Sequence, residues 1–326
     1  MTGEALISAR GLKKYFQARG ALGIKREFIK AVDNIDLEIY QGETFGLVGE
    51  SGCGKSTLGR TLIRMYEPTG GKLLYKGEEI THLKMSQLKA LQNKFQIIFQ
   101  DPYSSLDPFW DIGEILEEPL RQSGADKVLC RIKIKEILEK VGLSEKDMQK
   151  FPYEFSGGQR QRIGIARALT VNPEFIMCDE PIAALDVSIQ AQVVNLLQDL
   201  QEELGLTYLF TAHDLSMVRY ISTRIGVMYL GSIVELAKSL ELFQNPLHPY
   251  TKVLFSSIPS PELADLDKNK RIRITGELSS SFTVTGGCRF APRCSYKTEL
   301  CLQEVPKLRE LEKGHFAACH NAERIS

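Results

Sequence analysis

The segment Gly49-Glu50-Ser51-Gly52-Cys53-Gly54-Lys55-Ser56 constrains this chain more than any other. It fits G-x-x-x-x-G-K-[ST], a spacing in which glycines let backbone N–H groups turn toward phosphate oxygens while a following helix adds its positive end. Such a loop needs a strand before it and a helix after it. Both flanks comply: Glu43-Thr44-Phe45-Gly46-Leu47-Val48 is a short apolar run, and Ser56 to Met65 carries a helical pattern. In that pattern Lys55 reaches the β- and γ-phosphates and the Ser56 hydroxyl ligates Mg²⁺. Cys53 reads as a small loop residue rather than a reactive thiol.

Further strands are expected over 29–40, where Val32, Ile35, Leu37 and Ile39 alternate with polar residues, and over 95–99, 175–178, 208–211 and 225–228. Helices are expected over 158–169 and 189–204, the latter with Val193, Leu196, Leu197, Leu200 and Leu204 on one face. Strands alternating with helices predict an α/β fold with a mainly parallel sheet. Three helical patterns between Ile112 and Tyr153 form an expected helical insert, with the subdomain spanning about 112–157. After about Pro246 the pattern weakens, and Ile258-Pro259-Ser260-Pro261 marks a boundary because two prolines lack the N–H a helix or central strand would use.

Phe175-Ile176-Met177-Cys178-Asp179-Glu180 is an apolar strand ending in two acids. Downstream of a phosphate loop, Asp179 is placed to hold Mg²⁺ through water and Glu180 to polarise an attacking water. Taken alone, a capped helix start would look the same. Between the two sites Ser156-Gly157-Gly158-Gln159 opens a helix with small residues, which makes an anion site of its first N–H groups.

That Ser-Gly-Gly-Gln run resembles the signature of ATP-binding cassette proteins, and the resemblance covers nearly the whole chain. It implies a P-loop cassette with a helical signature subdomain and a small cysteine-containing C-terminal extension: residues 1–246 as nucleotide-binding domain and 247–326 as extension. It implies ATP bound by Phe16, Gly49, Ser51, Gly52, Cys53, Gly54, Lys55, Ser56, Thr57 and Gln100, with Mg²⁺ on Ser56, Gln100 and Asp179. Phe16, or failing it Tyr15, corresponds to the aromatic that stacks on adenine. Glu180 and His213 correspond to the catalytic pair, Asp186 to the loop that crosses a dimer interface, and Ser156 to Gln159 to the motif that faces ATP on a partner cassette. Two positions depart from the common pattern: Phe155 replaces leucine, and Ala183 stands where serine is frequent, so one interface hydrogen bond is expected to be missing.

Phe99-Gln100-Asp101-Pro102-Tyr103-Ser104-Ser105-Leu106-Asp107-Pro108, Asp186-Val187-Ser188-Ile189-Gln190-Ala191-Gln192-Val193 and Asn245-Pro246-Leu247-His248-Pro249-Tyr250-Thr251 resemble oligopeptide/dipeptide importer ATPases. That subfamily also covers nickel, glutathione and oligosaccharide importers. The segment 17–30, with Arg19, Lys25, Arg26 and Lys30, resembles the second of the two ATPase subunits. The resemblance implies two transmembrane permease subunits, a second homologous ATPase or a second copy of this chain, an external substrate-binding protein acting indirectly, and a peripheral place on the cytoplasmic face of the membrane. Coupling helices of the permease are expected near 100–110.

Composition agrees. Lys+Arg and Asp+Glu both total 41 in 326 residues, which gives no basic field for nucleic acid. No apolar stretch approaches the roughly 20 residues that span a bilayer, and the first residues lack a secretory pattern. Four of the seven cysteines crowd the end as Cys288, Cys294, Cys301 and Cys319. Their spacings are wider than a C-x2-C zinc knuckle. Four thiolates suit a [4Fe–4S] cluster, which the resemblance also implies; Zn²⁺ and uncoordinated thiols are the alternatives, with His315 and His320 either substitute ligands or simply solvated. The competing functional readings are a non-transport cassette ATPase and a metal or redox regulator working through the tail.

Overall fold

The computed structural model describes residues 4–19, 26–256 and 286–325, and these form two compact units. One is built from Tyr40–Thr44 and His82–Ala212. Its centre is the strand Phe175–Asp179, paired in parallel with Phe95–Ile98 on one side and Thr207–Thr211 on the other. All five residues of Phe175–Asp179 are buried, as are those of Thr207–Thr211. A strand buried on both faces has no use for alternation, which explains its continuous apolar run. Helix Val187–Leu204 contributes Val193, Val194, Leu196, Leu197 and Leu200 to the core, each side chain worth roughly 1.5–3 kcal/mol of burial. Leu204, expected on that face, is exposed at the last turn, just before Gly205 closes the helix in a left-handed conformation.

The helical insert lies in the same unit. It holds the α-helices Ile112–Gln122 and Lys127–Lys140, each with an aspartate cap: Asp111 accepts from the Glu114 N–H and Asp126 from the Leu129 N–H. The third expected pattern is two short 3-10 turns, Glu145–Gln149 and Pro152–Glu154. Pro152 restricts Phe151 before it to extended backbone and so prevents a continuous helix.

The second unit gathers the described residues of Ala5–Ile39, Phe45–Thr81 and His213–Ser326. Strand Thr44–Val48 runs parallel to Arg224–Tyr229, and the pairing continues antiparallel through Ser232–Lys238, His315–Ala317 and Arg309–Glu312. The expected parallel sheet is therefore completed by an antiparallel edge. A separate four-stranded sheet orders Arg26–Tyr40, Ala5–Arg19, Gly70–Tyr75 and Glu78–Glu79.

The C-terminal extension packs by aromatic contacts. Phe290 meets Tyr229 edge-on, with ring centroids 5.4 Å apart, and Tyr250 at 5.5 Å. His248 lies buried beside Phe290. Burial pushes its imidazole down to about 4 against the opposing pull of Glu235, and its Nδ1 accepts the Tyr250 N–H. The boundary expected at 258–261 and part of the charged segment 17–30 lie outside the described residues. Among the described residues no helix is long and apolar enough to cross a membrane.

Candidate nucleotide site

The phosphate-loop residues belong to the second unit. Gly49, Gly52 and Gly54 have φ of 152°, 75° and 112°. At two of them sterics decide the residue. A Cβ on Gly49 would stand 2.2 Å from the Met228 carbonyl oxygen, and one on Gly54 would stand 2.1 Å from that of Ala31. Gly54 then caps helix Lys55–Leu62, so the first-turn N–H groups open onto the loop. Lys55 is only 4% exposed, and its ammonium donates to the Gly49 carbonyl at 2.8 Å and the Glu50 carbonyl at 3.2 Å. Ser56 and Thr57 are half-buried in the helix's first turn. Cys53 is buried, and burial pushes its thiol up, in keeping with a packing role.

The loop is also held by residues that sequence reasoning did not single out. The Glu50 N–H donates to the Tyr250 hydroxyl at 2.9 Å, and the Cys53 carbonyl accepts the Gly231 N–H at 2.8 Å. The Glu50 carboxylate pairs with the Arg293 guanidinium at 3.0 and 3.1 Å. Both side chains are largely buried, so this charge-assisted contact is worth about 1.5–3 kcal/mol. Nothing local signals it: the two residues lie 243 apart in the chain.

Of the two aromatic candidates, Tyr15 is engaged: its hydroxyl donates to Asp33, which also receives Arg289. Burial alone would raise the Asp33 carboxyl, yet the Tyr15 hydrogen bond and the Arg289 charge hold it below its ordinary value. Phe16 stands edge-on to Tyr66 at 5.6 Å, with the Lys14 ammonium 5.1 Å from its ring centre. His213 is exposed immediately after strand Thr207–Thr211. Asp214 caps the helix that follows, accepting the Ser216 N–H at 2.8 Å.

The acids belong to the first unit. Asp179 ends its strand opposite Thr211, and the Thr211 hydroxyl lies 3.4 Å from Asp179 Oδ1. Glu180 has φ of 50°, a left-handed conformation that costs a residue with a Cβ on the order of 1–3 kcal/mol. Its N–H donates to Thr211 Oγ1 at 3.0 Å and lies 3.1 Å from the Thr211 carbonyl, so the turn is held from the neighbouring strand. Both acids are nearly buried, at 3% and 7% exposed.

Ser156 caps helix Gly157–Leu169 in a reciprocal arrangement. Its hydroxyl accepts the Gln159 N–H at 3.3 Å, and Gln159 Oε1 accepts the Ser156 N–H at 3.0 Å. A Cβ on Gly158 would fall 2.5 Å from Ile189 Cγ2, so this glycine permits close approach of helix Val187–Leu204. Phe155 is buried, as an apolar replacement should be. Asp186 is exposed at the start of the latter helix. Gln100 is exposed on the loop after Phe95–Ile98. That loop grips the signature helix: the Arg160 guanidinium stacks 3.8 Å from the Tyr103 ring centre, and Arg167 donates to the Ser105 carbonyl.

In the extension Cys301 and Cys319 are buried, and Cys288 and Cys294 half-buried. Burial pushes Cys288 up to about 11, reinforced by Cys301 and Cys319; Cys294 and Cys319 are likewise raised by burial, and each feels Cys301. The Asn321 N–H points at Cys319 Sγ at 3.4 Å and its Nδ2 at Cys301 Sγ at 3.7 Å. Among the described residues no three of these sulfurs lie within 4.8 Å of one another. Ligands of one tetrahedral zinc would stand about 3.8 Å apart, so the zinc alternative fits poorly. His320 meets the Glu304 carbonyl at 3.0 Å. His315, expected either as a substitute ligand or solvated, is fully buried against Glu235.

Known proteins share this framework. The ABC transporter family matches residues 32–183, and the oligopeptide/dipeptide transporter C-terminal region matches residues 234–301. The oligopeptide transport ATP-binding protein AppF of Bacillus subtilis is 49% identical over 320 residues, 97% of each chain. OppF of the same organism is 50% identical over 324 residues, 98% of each chain. The chain belongs to the ATP-binding cassette transporter ATPases. Among solved structures, the dimeric post-hydrolysis state of the cassette MJ0796 bound to ADP and Pi superposes with a TM-score of 0.64 at 30% identity, covering 72% of this chain and 98% of that one. A cassette ATPase is an enzyme that hydrolyses ATP, and the fold carries the α/β cassette with its helical insert.

Arg293 gives a direct test of the extension's hold on the cassette's phosphate loop. Arg293→Ala leaves Glu50 without its partner and is expected to weaken ATP binding about 10-fold, in line with loss of a charge-assisted contact. Fluorescent-nucleotide titration reads this; unchanged affinity would mean that the loop does not depend on the extension.

Proposed function

We propose that this cassette powers uptake of oligopeptides or dipeptides through partner permease subunits, hydrolysing ATP held between two cassettes. The observation that carries the reading is that one chain holds both a side-chain-free phosphate cradle at Gly49 and Gly54 and a Ser156-capped, glycine-opened helix start. Phe16 stacks on the adenine ring. The N–H groups of residues 51–57 and the Lys55 ammonium hold the triphosphate, and they cost little reorganisation because the loop is already shaped. Mg²⁺ would be held by Ser56, Gln100 and Asp179, where it neutralises charge on the phosphates. The residue types fit: one hydroxyl, one amide oxygen and one carboxylate are oxygen donors suited to a hard cation.

Glu180 polarises the attacking water, and His213 contacts the terminal phosphate. Ser156, Gly157, Gly158 and Gln159 cover the ATP of the opposite cassette, and Asp186 lies in the crossing loop. That cassette is a second copy of this chain or a second, homologous ATPase subunit. Residues 1–246 act as the nucleotide-binding domain and 247–326 as the extension. The exposed aromatics Tyr103, Phe109 and Trp110 on the loop after Gln100 offer an apolar seat for the permease. In this reading the chain sits on the cytoplasmic face of the membrane, and an external binding protein chooses the cargo.

Cys288, Cys294, Cys301 and Cys319 are proposed to hold a [4Fe–4S] cluster. The four thiolates would be its ligands, and the Asn321 donors would hydrogen-bond the sulfurs of Cys319 and Cys301. Burial holds the thiols of Cys288, Cys294 and Cys319 up, so cluster binding would have to displace their protons.

Two measurements test these readings. In membranes carrying the permease and binding protein, Glu180→Gln is expected to lower ATP turnover and labelled-peptide uptake by about 10²–10⁴-fold while ATP binding persists; near-normal turnover would overturn the role of Glu180, and turnover without peptide uptake the cargo. Anaerobically purified chain should carry iron and acid-labile sulfide near four each per chain; stoichiometric zinc without iron would contradict the cluster.

A further inference from the structure

A second group of ligating side chains, separate from the cysteines, lies where the C-terminal hairpin meets helix Ser239–Gln244. His315, on strand His315–Ala317, is fully buried. Its ring is fixed from behind by Glu235, whose Oε1 lies 2.8 Å from His315 Nε2. Glu235 is itself fully buried and accepts the Leu247 N–H at 2.6 Å and the His248 N–H at 2.9 Å. An ionised carboxylate here, already taking two amide donors, only accepts and would put the ring hydrogen on Nε2. In the neutral ring Nδ1 then presents a lone pair. That atom is buried and has no hydrogen-bond partner among the described residues.

What faces it are acceptors. Glu241, from helix Ser239–Gln244, brings Oε1 to 3.7 Å from Nδ1. Glu312 ends strand Arg309–Glu312, directly opposite His315 in the hairpin register. One ligating atom from each of Glu241, Glu312 and His315 lies within 4.8 Å of the other two. The Asn245 amide reaches Glu312 Oε1 at 3.5 Å. A buried lone pair aimed at two carboxylates is unfavourable unless something positive sits between them. The 3.7 Å gap is longer than a hydrogen bond. It is close to the roughly 3.0–3.6 Å that separates two ligands on one ion at 2.0–2.2 Å.

We propose that Glu241, Glu312 and His315 bind a divalent transition-metal ion, with Zn²⁺ the best fit. One imidazole nitrogen and two carboxylate oxygens suit zinc, whereas Mg²⁺ and Ca²⁺ favour oxygen alone. Glu235 plays the part of the carboxylate that orients a metal-bound histidine and raises its basicity. Glu312 is exposed, which supplies an entry path and room for a water ligand. The ion ties the C-terminal hairpin to helix Ser239–Gln244, and so fixes the extension whose Arg293 holds the phosphate loop.

The test uses the full chain, nucleotide-free and chelator-stripped, titrated with Zn²⁺ and separately with Co²⁺. Wild type should bind one equivalent of Co²⁺ whose spectrum lacks the thiolate-to-cobalt charge-transfer band, which separates this site from the cysteines. Zn²⁺ should raise its melting temperature by mass action. Glu312→Gln, at an exposed position that leaves the fold intact, and Glu241→Gln should each lower Co²⁺ affinity at that site by about 100-fold, at least the loss typical of an orienting partner. They should also abolish the part of the thermal shift that comes from this site. Equal non-thiolate Co²⁺ binding in wild type and both variants, or only thiolate-type binding in wild type, would overturn the proposal; the latter would mean that a proton on Nδ1 bridges the acids instead.

Discussion

The phosphate loop exists in its shape because two carbonyl oxygens leave no room for side chains. Ala31 and Met228 place theirs where a Cβ on Gly54 or Gly49 would have to stand, about two ångströms away. The loop backbone therefore packs against backbone beside the start of helix Lys55–Leu62. Everything that anchors those two carbonyls becomes part of the loop's design. Gly231, next to the Met228 strand, hydrogen-bonds the Cys53 carbonyl and Asp33, and Arg289 in turn holds Asp33. The extension joins in through Tyr250 and Arg293 on Glu50. A cradle fixed by so many partners loses little entropy when a ligand enters it.

The acids follow a different logic, in which strain is tolerated because neighbours enforce it. Glu180 keeps a left-handed backbone that a free chain would leave, held by the carbonyl and hydroxyl of Thr211. The signature helix is shaped by its cap and by Gly158, which lets Ile189 approach. Arg160 on Tyr103 and Arg167 on Ser105 tie that helix to the loop carrying Gln100. A displacement of the aromatic surface at Tyr103–Trp110 would thus reach the signature helix through packed guanidinium groups. In the proposed assembly this would be a route from a permease subunit to the nucleotide.

What the sequence made legible were features written in local rules: a glycine-rich loop between strand and helix, a Ser-Gly-Gly-Gln run opening a helix, an apolar run ending in acids. Strand Ala5–Arg19 escaped because Gly11 and its lysines and arginines blur the alternation, and the register itself shifts between Arg10 and Lys13. The hairpin strands Arg309–Glu312 and His315–Ala317 are too short and polar to stand out. Arg293 and Glu50, or His315 and Glu235, meet only after the chain has folded, and no spacing announces such partners. His315 reads as a solvated tail histidine for that reason, although Glu235 and two facing acids make it one of the most constrained side chains in the extension.

The account turns on the loop of one cassette being completed by the signature of another. The most direct measurement is a structure of the ATP-loaded, turnover-deficient protein assembled with its companion cassette. It should place Ser156 Oγ and the Gly158 N–H within about 3 Å of the γ-phosphate held on the partner's phosphate loop. ATP bound by one cassette with the opposite signature helix far from it, in every loaded state, would contradict the account.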